Sequence, residues 1–209
     1  MRTTVIVCGA EPSAASPRRN GGVTTSVRPF GKMGRMTVPI GSGSPDDLEA
    51  ISEIHAHYVR TSAISFDVEV PSAAWRREWF SVFDTHGRHR LLVARSQGRA
   101  VGYAASVHYR PRAAYAPSVE TSVYVAPSHI GQGLGSALYG ALLAELERED
   151  VHRAYAGIAI PNPASVRLHE RCGYRRAGYY TEQGRKFGRY WDVAWYERSF
   201  PEVASTTSG

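Results

Sequence analysis

The stretch Val123-Tyr124-Val125-Ala126-Pro127-Ser128-His129-Ile130-Gly131-Gln132-Gly133-Leu134-Gly135-Ser136-Ala137-Leu138 constrains this chain more than any other. Its apolar start reads as a strand stopped by Pro127, and its glycines as a tight turn. The leucines at 134, 138, 142 and 146 then read as one face of a long helix. A strand that runs through glycines straight into a helix exposes backbone N–H groups with no Cβ in front of them, at the positive end of that helix. Such a turn suits a pyrophosphate. Glycine spacing alone does not say which one, and it suits a plain helix start equally well. A dinucleotide-binding fingerprint needs its strand near the start of the domain and an acid at the tip of the next strand about twenty residues on. Here the nearest acids, Glu145 to Asp150, fall inside the helix or at its end. A nucleoside-triphosphate loop needs Gly-Lys followed by Ser or Thr, which the turn lacks.

The rest of the chain alternates around this segment. Thr37 to Ile40 reads as a short strand. Ser44-Pro45-Asp46-Asp47 starts a helix, with Ser44 as cap and Pro45 at the first helical position, and its apolar face runs through Leu48, Ile51, Ile54 and Tyr58. A second helix starts near Pro71 and carries Trp75, Trp79 and Val82. Leu91 to Arg95 and Ala100 to Tyr109 form a hairpin turned at Ser96-Gln97-Gly98-Arg99, and Val119 to Ala126 leads into the glycine turn. Tyr155 to Ile160 is a strand, and Ala164 to Cys172 a helix ended by Gly173. Two aromatic-rich strands, Tyr174 to Glu182 and Arg189 to Arg198, close the chain through Gly184 and Gly188. The order is mixed α/β, with antiparallel hairpins first and a βαβα unit after them.

Residues 1–36 are rich in Ser, Pro, Gly and Arg without periodicity and read as a disordered extension; 37–200 form one domain, and 201–209 a flexible tail. Met33 and Met36 offer alternative starts just before the domain. The net charge of +6 hints at nucleic acid, but six of the 25 basic residues and one of the 19 acidic ones precede Thr37. The domain itself is nearly neutral and carries no basic stripe, which argues against nucleic acid as a partner. Of the two cysteines, Cys8 lies in the extension and Cys172 in the domain, so a structural disulfide is not expected and a reducing, cytoplasmic setting fits. No apolar run reaches transmembrane length. His55 and His57 point to different helix faces, and no metal site is expected.

The glycine segment resembles the acetyl-CoA motif of the GNAT acyltransferase superfamily, in which a Gln/Arg-x-x-Gly-x-Gly/Ala turn wraps a pyrophosphate. Gly133 and Gly135 match its small positions, while Ile130 stands where the family has Gln or Arg. Asn162-x-x-Ser165-x-x-x-His169-x-x-x-Gly173-Tyr174 is similar to the superfamily's second cofactor motif. Further blocks resemble the phosphinothricin N-acetyltransferase family and its relatives that acetylate methionine sulfone and sulfoximine. They are His57 to Phe66, Val119 to Val125, Pro161 to Tyr174, Trp191-Asp192-Val193 and Arg198-Ser199-Phe200. The resemblance covers most of 37–200. It weakens after Phe66, where Asp67-Val68-Glu69-Val70 replaces Arg-Thr-Glu-Pro.

This resemblance implies a GNAT fold, a mixed sheet of six or seven strands with about four helices. It also implies acetyl-CoA as co-substrate and a homodimer, with herbicide resistance among the family's roles. It assigns cofactor contacts to Tyr124, Val125, Gly131, Gln132, Gly133, Leu134, Gly135, Ser136, Asn162 and Ser165, with an oxyanion donor on the Tyr124–Val125 strand edge. As a lone acid on a strand, Glu120 suits a solvent-facing position; the resemblance makes it the general base, acting through a water. His169 is either an acid on the thiolate side or an orienting group beside the cofactor. Phe66, Arg110, Arg112 and Tyr115 are the implied substrate contacts, and Arg forks suit carboxylate and phosphinate oxygens. Lys186 and Arg189, in the last hairpin, either contact substrate or a second subunit or lie on the surface, the surface being the expectation.

Rival readings are a broader amino-acid acetyltransferase, favoured by Asp67 in place of Arg, and an enzyme for aminoglycosides, polyamines or protein lysines. Arg110 and Arg112 disfavour cationic acceptors. A non-catalytic acyl-CoA sensor would not need Glu120, His169 and Asn162 together.

Overall fold

The computed structural model describes residues 38–201. The expected extension with Cys8, Met33 and Met36, and the expected tail from 202 onward, lie outside the described residues. The elements are β1 (Ile40–Ser42), α1 (Leu48–Thr61), α2 (Ala73–Phe80), β2 (Leu91–Ser96), β3 (Arg99–His108), β4 (Ser118–Val125), α3 (Leu134–Leu146), β5 (Arg153–Ile160), α4 (Pro163–Arg171), β6 (Arg175–Lys186) and β7 (Arg189–Ser199). They build one seven-stranded sheet in the order β1-β2-β3-β4-β5-β7-β6. All neighbours are antiparallel except β4 and β5, which α3 joins as a parallel crossover.

Strand alternation sorts the core onto two faces. Leu92, Ala104, Val119, Val123, Ala154 and Ile158 pack with Leu138, Leu142 and Leu146 of α3 and Leu168 of α4. Leu91, Val93, Tyr103, Ala105 and Tyr124 face Ile51, Ile54 and Tyr58 of α1 instead. At the start of α1, the N–H and hydroxyl of Ser44 both donate to the Asp47 carboxylate, at 2.7 and 3.0 Å. The first turn, Pro45–Asp47, is a tight 3-10 turn that flows into the helix.

The feature that positions the site is a parting of strands. β4 and β5 pair only over Ser118–Glu120 against Arg153–Tyr155. Each continues for five more residues without the other, so a wedge opens from Glu120 onward. At its apex the Thr121 hydroxyl lies 3.2 Å from Tyr155 O, 2.7 Å from Tyr139 OH and 2.8 Å from Tyr174 OH. Side-chain oxygens occupy the apex where the backbone ladder ends.

Several boundaries differ from expectation. The first strand lies at Ile40–Ser42, because its pairing with Leu92–Ala94 decides its position. The second helix does start near Pro71, capped by Ser72, whose side chain accepts from Trp75 N, but it ends at Phe80 and leaves Val82 outside. β6 runs on through Gly184 to Lys186, with the turn at Phe187 and Gly188. Three residues of β6, 181–183, face the single Asp192 of β7 in a wide bulge. Asp192 stitches that bulge by accepting from Glu182 N at 2.8 Å and Tyr179 OH at 2.6 Å.

Candidate active site

The glycine turn closes the wide end of the wedge on the β4 side. Gly131 and Gly133 hold φ of 80° and 81°, a region that side-chain-bearing residues avoid. Gly133 is the N-cap of α3, and no side chain caps that helix. The first N–H groups of α3 are therefore left to water or a ligand. A Cβ at Gly131 would meet nothing within 4 Å, so the turn opens on space. Of the segment expected to hold the cofactor, Gly131, Gln132, Gly133 and Ser136 are exposed, while Leu134 and Gly135 are buried. The Gln132 side chain folds back to donate to Ser128 O at 3.1 Å, leaving only its backbone to the site.

Along the wedge, Ala126 N–H donates to Val101 O on the β3 side. By the alternation of an antiparallel ladder, Val125 N–H then turns the other way, toward the gap left by β5. Val125 O accepts from Tyr58 OH at 2.6 Å, which ties this edge to α1. On the opposite bank, Asn162 caps α4 by accepting from Ser165 N at 3.1 Å. Its amide nitrogen is buried and has no hydrogen-bond partner among the described residues. Leaving a buried donor unmet costs about 1–3 kcal/mol, which a ligand acceptor would recover. Two helix N-termini, a buried amide donor and a strand edge with spare N–H groups together fit an extended, phosphate-bearing ligand.

His169 is fully buried in α4 among the rings of Tyr139, Tyr174 and Tyr196, with centroids 4.9, 5.2 and 6.2 Å away. Its Nδ1 sits 2.7 Å from Ser165 O and so carries the proton. Nε2 is buried without a partner among the described residues. Burial pulls its pKa down to about 4, so the ring is neutral at pH 7.

Glu120 stands at the last paired position of β4, opposite Val107 on β3 and Tyr155 on β5. It is 6% exposed and shares a face with Tyr124. Sequence reasoning missed the aromatic platform beside it. Tyr109 stacks on Tyr155 at 4.2 Å and meets Trp195 edge-on. The Arg110 guanidinium lies 4.7 Å from the Tyr109 ring, and Tyr115 meets the same ring edge-on at 6.1 Å. Arg110 and Tyr115 are thereby tied to the strand position next to Glu120, while Arg112 is exposed in the same loop. The only sequence trace of this platform was the aromatic residue directly before Arg110.

Phe66 lies across the sheet, against Ala63, Ala159 and Trp191. Behind it is a polar cluster that the sequence did not announce. Arg76, 4% exposed, reaches His55 Nδ1 at 2.9 Å, and His55 Nε2 lies 3.3 Å from Ser65 Oγ and 3.4 Å from Asp67 Oδ2. Lys186, expected on the surface, is instead 4% exposed and donates to Ser65 O at 2.6 Å. It shares a face of the hairpin with Gly184 and Trp191. Arg189 does stay exposed, 3.5 Å over the Trp191 ring. Among the described residues no group of three His, Cys, Asp or Glu is placed to hold a metal ion. No described helix is long and apolar enough to cross a membrane.

The sequence profile of the Acetyltransferase (GNAT) family matches residues 51–174. A phosphinothricin N-acetyltransferase of Streptomyces coelicolor is 51% identical over 79% of this chain and 98% of its own length. An L-methionine sulfoximine/L-methionine sulfone acetyltransferase of Salmonella typhimurium is 33% identical over 76% of this chain and 92% of its own. Among solved structures, a phosphinothricin acetyltransferase from Sinorhizobium meliloti in complex with acetyl-CoA superposes with a TM-score of 0.76 at 30% identity, covering 82% of this chain and 92% of that one.

Proposed function

Because the chain belongs to the acetyltransferase (GNAT) family, we propose that it moves the acetyl group of acetyl-CoA to the α-amino group of phosphinothricin or a similar acidic amino-acid analogue. It is an acetyl-CoA-dependent N-acetyltransferase of mixed α/β GNAT fold. The observation that carries the substrate reading is the joining of Glu120 to the Tyr155–Tyr109–Arg110 stack, which sets a buried carboxylate beside a cationic loop. An acidic amino acid offers both of the groups such a site needs.

In the proposed reaction the acceptor nitrogen bonds to the thioester carbon, the C–S bond breaks, and the sulfur leaves as thiolate, which takes up the second proton that the nitrogen sheds as it becomes an amide. Glu120, through a water, takes the proton that the ammonium must lose. Val125 N–H faces the gap and holds the developing oxyanion. The turn from Gly131 to Ser136 binds the pyrophosphate, and Asn162 and Ser165 hold the rest of the cofactor arm. Arg110 and Arg112 take the acidic end of the acceptor, with Tyr115 beside them and Phe66 as a wall. His169, neutral and enclosed, orients α4 and the cofactor; the thiolate needs little acid help, since thiols have pKa values of about 8.5.

The same reading takes 37–200 as the acetyltransferase domain and places it in the cytoplasm, with neither nucleic acid nor membrane as partner and a role in resistance to the herbicide. It also makes the protein a homodimer, supported by the exposed aromatic residues Tyr179, Tyr180, Phe187 and Tyr190 on the last hairpin. A second acceptor class, methionine sulfone or sulfoximine, is favoured by Asp67, which brings a negative charge into the cluster behind Phe66.

Thiol release from acetyl-CoA should be followed with phosphinothricin, methionine sulfone, methionine sulfoximine, common amino acids and an aminoglycoside. Preference for phosphinothricin is expected. Preference for the sulfone or sulfoximine would keep the chemistry and move the substrate, and no release with any of them would end the amino-acid reading.

A further inference from the structure

Phe66 is held by the last hairpin, although Gly184 lies 118 positions further along the chain. Gly184 lies inside β6, paired with Trp191. A Cβ built there would sit 2.4 Å from Phe66 Cε2, 2.7 Å from Cδ2 and 2.9 Å from Cζ. The φ of Gly184 is not in the left-handed region, so its backbone does not demand glycine; the ring against it does. Two residues on, Lys186 donates to the carbonyl of Ser65, the residue just before Phe66, at 2.6 Å. On the other flank, Asp67 N donates to Ser65 Oγ at 3.2 Å, and Asp67 Oδ2 stands near His55 and Ser65. The Trp191 indole N–H donates to Lys186 O at 3.0 Å, which steadies the end of β6.

Alternation along β6 puts Gly184 and Lys186 on one face, just after the three-residue bulge at 181–183 that is pinned to β7. Asp192 holds the bulge through Glu182 N and Tyr179 OH, and Gln183 Oε1 accepts from Trp195 Nε1 at 3.1 Å. The end of β6 sets a glycine against the Phe66 ring and an ammonium against the Ser65 carbonyl just before it.

We infer that Gly184 and Lys186 are positioning residues that determine acceptor specificity, by fixing where the Phe66 ring stands in the acceptor pocket. This rests on the proposed reading of Phe66 as a wall of that pocket. The hairpin is separated in the sheet from the β4 edge assigned to the cofactor by β5, so its effect should fall on the acceptor. A side chain displaced by about 1 Å in a reacting site changes rates by up to about a hundredfold, and the shortfall at Gly184 is of that size.

The test is steady-state kinetics on the full chain with acetyl-CoA and either phosphinothricin or methionine sulfone as acceptor. The proteins are wild type, Phe66→Leu, Gly184→Ala and the double variant. Gly184→Ala should raise the KM of at least one acceptor, or change the selectivity between the two, by about tenfold, with the KM for acetyl-CoA within about twofold. In the Phe66→Leu background the same alanine should have little further effect, because the ring it collides with has gone. An equal effect in both backgrounds would overturn the inference and leave the reading of Phe66 intact. Unchanged acceptor constants in Phe66→Leu itself would instead remove that reading, and the inference with it. Lys186→Met provides a second arm should Gly184→Ala fold poorly. It should raise acceptor KM and spare acetyl-CoA, and an unchanged acceptor KM would count against the inference.

Discussion

The two banks of this site are built in opposite ways. The proposed cofactor side comes from two short, continuous stretches of chain, 123–138 and 161–174, each a strand end, a turn and a helix N-terminus. The proposed acceptor side gathers Phe66, the 109–115 loop, Glu120, Tyr155 and the end of β6 from across the molecule. A ligand common to a whole superfamily can be met by local backbone geometry, which glycines and helix starts encode directly. A ligand that distinguishes one member from another is met by side chains that only the tertiary fold brings together. The first bank should therefore break locally and the second at a distance.

The largest effect is expected where the two banks meet. Glu120→Gln should lower kcat/KM by about 10²–10³ while CoA affinity, measured by titration calorimetry, stays within about twofold. A protein that loses CoA binding instead would place Glu120 in the cofactor bank. Next, replacing Arg110 and Arg112 together by Ala should raise the KM for an acidic acceptor by about tenfold to a hundredfold, from about 1.5–3 kcal/mol of charge-assisted hydrogen bonding, and spare acetyl-CoA. Gly133→Ala should do the reverse. A side chain forced to positive φ costs about 1–2 kcal/mol, so the KM for acetyl-CoA should rise by about tenfold and the acceptor KM should hold.

How much of this was legible in the sequence follows the same division. The capped start of α1, the glycine turn, α3 and α4 stood out because each is set by local spacing and end chemistry. The parting of β4 from β5 could not be read, since Val119 to Val125 looks the same whether its neighbour stays paired or leaves. Lys186 was misplaced for a similar reason. Its burial goes with a bond to the carbonyl of Ser65, 121 positions away in the chain, and no local pattern in β6 reports that partner. Tyr109 and Tyr155 meet only because β3 and β5 flank β4, and no spacing within the chain reports that.

The smallest effect expected is on stability rather than rate. His169 and His89 both have pKa values lowered from 6.5 to about 4, chiefly by burial, with the charges of His108 and Arg88 adding at His89. Between those two pH values the unfolded chain takes protons that the folded chain refuses. Their stabilisation is whole above pH 6.5 and is lost as pH falls toward 4. His169→Phe should remove one proton from this linkage, lowering the slope of stability against pH by up to about 1.4 kcal/mol per unit, as read by urea unfolding. An unchanged slope would mean that His169 is not the buried neutral group described above.

The most direct test of a two-bank site is hydrogen exchange on the full chain with each ligand in turn. Acetyl-CoA alone should protect amides in 131–136 and around 162–165 and leave the loop at 110–115 and the segment at 65–67 unchanged. Adding phosphinothricin should then protect 65–67, 110–120 and the end of β6 without further change in the glycine turn. If the acceptor instead protected the glycine turn, or acetyl-CoA alone protected the acceptor loop, the division of the site would be wrong.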